Sequence, residues 1–142
     1  MVLGGVRRSL EPLALTLLRV STGVIMAVHG WSKLQDIPGL IENFKGMGFP
    51  SPDILAYLAI AGEFGGGLGL ILGFLTPIAA LGVFSTMAVA VFHVHWKNGL
   101  LAKDGGFEYP LTLMLVAFFF VMHGAGPISL DALFCRKKAP AM

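Results

Sequence analysis

Four apolar stretches separated by short polar segments dominate the pattern of the chain, at residues 12–30, 52–74, 77–96 and 107–124. Each is close to the roughly 20 residues that a helix needs to cross a hydrocarbon core about 30 Å thick. Lipid offers the backbone no hydrogen-bond partner, so each stretch must be helical. The pattern therefore predicts an all-α membrane protein, a four-transmembrane-helix bundle forming a single integral membrane domain over 1–142. Ser9 with Pro12, Ser51 with Pro52, and Thr76 with Pro77 read as caps followed by a proline in the first helical turn. The turn between the second and third stretches is short enough to make them an antiparallel hairpin. A cleaved signal peptide fits the first stretch poorly, because Arg19 interrupts it and no small-residue cleavage site follows.

The segment after the first stretch, "DIPGLIENFKGMG", carries a different period. Asp36 is placed to cap a short helix over 37–46, with Pro38 in its first turn. Ile37, Leu40, Ile41, Phe44 and Met47 fall near one face, and Glu42, Asn43 and Lys45 fall elsewhere. An amphipathic helix in the interface plane is predicted, either packed on the bundle rim or lying as a lid over a site between the spans. The tail, 129–142, begins "SLDALFCRKK" and reads as a capped interfacial turn with a basic anchor.

Composition agrees: 56% of residues are hydrophobic and 13% charged, against about 25% charged in a typical soluble domain. The single Cys135 excludes an internal disulfide, and no Cys-x-x-Cys motif is present. Net charge is +2, with basic clusters at Arg7 and Arg8 and at Arg136, Lys137 and Lys138. In so apolar a chain these clusters set topology at an anionic leaflet rather than bind nucleic acid. They place both termini in the cytoplasm, with the protein lying in the cytoplasmic membrane. Lys33, Lys45, Lys97 and Lys103 then fall on the outer side.

Charges inside the spans need partners, since an ionised side chain at span centre costs at least about 2.5 kcal/mol. Arg19 and Glu63 are opposite in sign, and both lie on faces rich in small residues: Thr22, Gly23 and Gly30 around Arg19, Ala59 and Gly67 around Glu63. The expectation is a direct or water-bridged pair. It either fixes helix register or contacts a polar ligand and moves a proton.

His29, His93 and His95 end the first and third stretches, and Glu108 begins the fourth, so one end of the bundle should collect all four with Trp31, Trp96 and Tyr109. His123 belongs to the opposite end, where it would cap backbone carbonyls. Residues two apart on a helix point about 200° from each other, so His93 and His95 do not converge on one ion in a regular helix, and no metal site is assigned. A quinone requires less: hydrogen-bond donors at its carbonyls, a group that exchanges protons near neutrality, and apolar walls reachable from lipid. Arg19, His29, Glu63, His93, His95 and Glu108 are the candidates for ligand binding or proton relay, with Glu63 at the pocket floor. No flavin, haem or iron-sulfur motif is present, so the cofactor stays unassigned with quinone as the candidate.

The blocks "LLRVSTGVIMAVHGWSKL", "AGEFGGGLGLILGFLTPIAALG" and "FEYPLTLMLVAFFFVMHGAGPISLDAL", with a third span ending in histidine, together resemble the DoxX family of small bacterial and archaeal membrane proteins. The resemblance runs from about Leu13 to Leu133. Arg19, Gly23, His29, Gly30 and Lys33 match its first block, Glu63 and Gly67 the second, His93 the third, and Glu108, Pro110 and "GPISLDA" the fourth. It implies association with quinone-linked oxidoreductases. Two function classes follow: a membrane redox component working beside an electron-transferring partner, or a non-enzymatic structural subunit of a larger complex or homo-oligomer. A small transporter and a metal-binding protein stand behind them.

Overall fold

The computed structural model describes residues 2–136; Lys137, Lys138 and the remainder of the expected basic anchor lie outside them. Six helices carry the described chain: α1 Val2–Gln35, α2 Ile37–Gly46, α3 Pro52–Leu72, α4 Thr76–Asn98, α5 Glu108–His123 and α6 Leu130–Arg136. Among the described residues, α1, α3 and α4 are long and apolar enough to cross a membrane, while α5 is apolar but only 16 residues long. α1 packs on α3, α3 on α4, and α4 on α5. Met26, Leu70, Val83, Met87, Leu113 and Phe120 meet in the centre.

Glycine sets the spacing. A Cβ added at Gly23 would lie 2.7 Å from the Gly67 carbonyl oxygen, and one at Gly67 would lie 2.5 Å from Ala27 N. Real Cβ atoms do not approach so closely, so α1 and α3 touch backbone to backbone along the small faces expected around Arg19 and Glu63. The opposite side of α3 repeats the device: a Cβ at Gly62 would lie 2.9 Å from Gly82 O, and one at Gly66 2.7 Å from Ala79 O. Between lipid-facing helices, where the hydrophobic effect supplies no attraction, such close approach supplies dispersion contact instead.

Three of the expected caps behave differently. α1 runs unbroken through Pro12, and Ser9, far from capping it, donates its hydroxyl to Gly5 O at 3.1 Å. Pro12 forfeits only a bond to the carbonyl of exposed Arg8, which water can satisfy, so the helix continues. Ser51 and Leu75 adopt left-handed backbone (φ 51° and 47°) directly before α3 and α4. Ser51 forms no side-chain cap. Thr76 opens α4, but the cap comes from Asp131 of α6, whose carboxylate accepts from Leu75 N at 2.8 Å and Thr76 N at 2.9 Å.

The short amphipathic helix is where its pattern places it. Asp36 accepts from Gly39 N at 2.9 Å; Ile37, Leu40, Ile41 and Phe44 are half-buried, and Met47, Glu42, Asn43 and Lys45 are exposed. With no fully buried residue, α2 is held mainly by this cap and by its packing against α3. Asp36→Ala should therefore destabilise α2 by about 1 kcal/mol. Hydrogen exchange should then quicken at α2 amides and remain unchanged in α4; unchanged α2 exchange would show that the cap contributes nothing.

Candidate functional site

Two π-helical turns interrupt the bundle, Ala61–Gly65 in α3 and Ala90–His95 in α4. Such turns are rare and recur at functional sites, because an extra residue in the turn re-aims side chains. Here they carry Glu63, His93 and His95. Glu63 is buried and forms an ion pair with Lys33 of α1, whose side chain is 25% exposed. Lys33 lies three and four residues beyond Gly30 and His29, and the missing Cβ of Gly30 lets α1 press against Phe64, next to Glu63.

Around this pair is a small, half-open cavity of about 150 Å³, lined among others by buried Met26, Met87 and Leu113 and by exposed His29 and Tyr109. The His29 and Tyr109 rings, 6.4 Å apart, stand on its α1 and α5 sides. On the other side a groove of about 940 Å³ runs between α3 and α4 beneath α2. Lys33, Glu63, Ala90 and His95 line both spaces. His95 Nδ1 lies 2.7 Å from Gly105 O. A carbonyl oxygen only accepts, so Nδ1 carries a proton and donates it here, which leaves Nε2 as the ring nitrogen free to meet a ligand.

The other expected site residues lie elsewhere. His93 is exposed and stacks on Phe49 (centroids 4.1 Å apart), which in turn meets Phe44 of α2 (4.9 Å). Glu108 accepts from Ala102 N at 2.6 Å and so braces the loop between α4 and α5. His123 rests against Phe119, 4.9 Å between centroids, rather than on a backbone carbonyl. Among the described residues no three His, Cys, Asp or Glu side chains come together as a metal site.

The expected Arg19–Glu63 pair does not form. Arg19, 2% exposed, donates through one terminal nitrogen to Ala125 O and through the other to Ile128 O at 2.8 Å. Its guanidinium lies against Gly73 at the α3–α4 turn, beside the Asp131 cap. Lys33, Glu63's actual partner, is 14 residues further along α1; at 1.5 Å per residue that separates the two sites by about 21 Å. Arg19 thus serves a clasp joining the α5–α6 connection to the α3–α4 turn, and Lys33 and Asp131 are the polar residues that the sequence reading left out of both sites.

The DoxX family description matches residues 14–96, which include Arg19, His29, Lys33, Glu63, His93 and His95. The chain belongs to the DoxX family. It is 33% identical over 122 residues to the Bacillus subtilis (strain 168) protein named "Putative oxidoreductase CatD", covering 86% of this chain and 87% of that one. Two Escherichia coli (strain K12) relatives are named inner membrane proteins: YqjF, 28% identical over 92% of this chain and 98% of its own, and YphA, 27% identical over 85% and 90%. No solved structure matches. With its long apolar helices, this DoxX chain is a multi-pass protein of the inner membrane and has the lipid bilayer as its surroundings.

Proposed function

We propose that this DoxX chain is a four-span redox component, with α5 as the fourth span and both termini cytoplasmic, that binds a quinone or hydroquinone head at Lys33, Glu63 and His95. One observation carries the reading: the Lys33–Glu63 ion pair lies where the long groove between α3 and α4 meets a second, smaller cavity beside α1 and α5. The Lys33 ammonium donates to a quinone carbonyl. Neutral His95 Nε2 and the Glu63 carboxylate accept from the hydroxyls of the reduced form, and His29 and Tyr109 close the cavity opposite. Oxidation of a hydroquinone releases two protons, which these acceptors receive, and two electrons, which pass to a membrane electron-transfer partner. The oxidoreductase name of the relative CatD supports the class of reaction.

Titration of menaquinone and ubiquinone analogues into the protein in nanodiscs tests the proposal. Binding should saturate, and His95→Leu should weaken it roughly tenfold, the equivalent of one buried hydrogen bond. His93→Leu should leave it unchanged, because that ring faces Phe49. Absence of saturable binding, alone and with co-purified membrane partners, would leave the structural-subunit reading. That reading draws support from Gly65, where an added Cβ would meet no atom within 4 Å, so that a bare strip of helix is left on the groove.

A further inference from the structure

The groove between α3 and α4 is far longer than a ring site needs. From Glu63 to Leu72 it follows α3 for nine residues, about 14 Å and thus nearly half of a hydrocarbon core. Its floor is paved by Gly62, Gly65, Gly66, Gly69 and Gly82, and its far end is walled by Leu72, Phe74, Leu75 and Ile78. The charged and imidazole groups, Lys33, Glu63 and His95, gather with Asn43 in one half of it, where Leu40 and Phe44 of α2 and the following Met47 also line it; in the rest, the Ser85 and Thr86 hydroxyls donate to backbone carbonyls of their own helix. Its volume, about 940 Å³, falls within the range of ligand sites.

We infer that this groove seats the apolar chain of the ligand whose head occupies the Lys33–Glu63–His95 site, so that the ligand is a single-chain amphiphile entering sideways from the bilayer. The inference rests on the proposed head-group site and adds the chain, its location and the route. A space polar at one end and apolar along the rest matches such a molecule at both ends. A transmembrane helix from a second copy would set apolar side chains against an ion pair. Moving a chain from lipid into an apolar groove yields no hydrophobic gain, because lipid tails are as apolar as leucine. The groove therefore fixes where the chain lies and lets the head reach the ion pair without crossing water.

Photolabelling separates this inference from the head-group proposal. A benzoquinone with a decyl chain ending in a diazirine should label Leu72, Phe74, Leu75 or Ile78 in nanodiscs, and an excess of the chainless benzoquinone should abolish that labelling. Gly65→Leu places a side chain in the groove without meeting an atom near its Cβ. It should lower affinity for the chain-bearing probe about tenfold or more by steric exclusion, while leaving the chainless ring within twofold of wild type. Saturable binding of the chainless ring with diazirine labelling on α1 or α5 would overturn the chain seat and leave the head-group site standing. Groove labelling that the chainless ring fails to displace would mark a bed for bulk lipid chains and overturn it equally, as would a dimer cross-linked through Gly65→Cys. Failure of the chainless ring to bind at all would overturn both.

Discussion

Lys33→Met should destabilise the folded protein by about 3–5 kcal/mol, and the Lys33→Met, Glu63→Leu double variant should recover much of that loss. Glu63 is buried, with its side chain 6% exposed, and Lys33 is the hydrogen-bond partner of its carboxylate. Removing the ammonium strands an anion among Met26, Met87 and Leu113. The converse, Glu63→Leu, should cost less, because the Lys33 side chain is one-quarter exposed and its flexible stem can carry the charge towards water. Unfolding of the two single variants and the double variant in mixed detergent measures the cycle. Strictly additive losses would show that the pair has no coupling energy. Arg19→Leu combined with Glu63→Leu should be additive, since those residues occupy sites about 21 Å apart.

Arg19→Leu should cost about 2–6 kcal/mol by a different mechanism. The guanidinium serves two carbonyls at once, Ala125 O and Ile128 O, and its loss leaves both without this donor at a cost of about 1–3 kcal/mol each. Arg19→Lys should fail to rescue, because a single ammonium cannot reproduce the planar fork that spans both acceptors. Loosening of the clasp should expose residues 125–128 to protease while the Lys33 end keeps its ligand binding. A lysine variant with wild-type melting and protease resistance would show that position 19 needs only a positive charge.

Local signals were legible in the sequence and long-range register was not. Asp36, Pro38 and the spacing of Ile37, Leu40, Ile41 and Phe44 act within one helical turn of each other, and α2 occupies the expected residues. The small faces of α1 and α3 were also readable, since Gly23 and Gly67 have one plausible use in an apolar bundle. The charge pairing was misread because ending the first span at Gly30 turned Lys33 into a loop residue, whereas α1 continues to Gln35 and keeps Lys33 on the face of His29 and Gly30. Pairing Arg19 with Glu63 also assumed a register between the first two stretches, which the backbone contacts at Gly23, Gly30 and Gly67 actually set. The divergence of His93 and His95 was readable from the helical period, but not which of them meets Glu63: His95 lines the cavity and His93 packs on Phe49 outside it, a choice set by the π-helical turn and the packing of α4, which leave no trace in hydrophobic periodicity. Nor does local sequence announce that Asp131 caps a helix 55 residues away.

The brevity of α5 gives the bundle two unlike flanks. With α5 as the fourth span, its 16 residues reach about 24 Å, against about 32 Å for the 21 residues of α3 and about 34 Å for the 23 residues of α4. Thinning of the lipid beside α5 is one way in which a mismatch on this scale would be met. Headgroups and water would then come closest on the flank where His29 and Tyr109 border the cavity, and stay furthest from the groove flank. Protons and lipid-soluble molecules would thus approach the same ion pair from opposite sides, sorted by membrane thickness without a moving part.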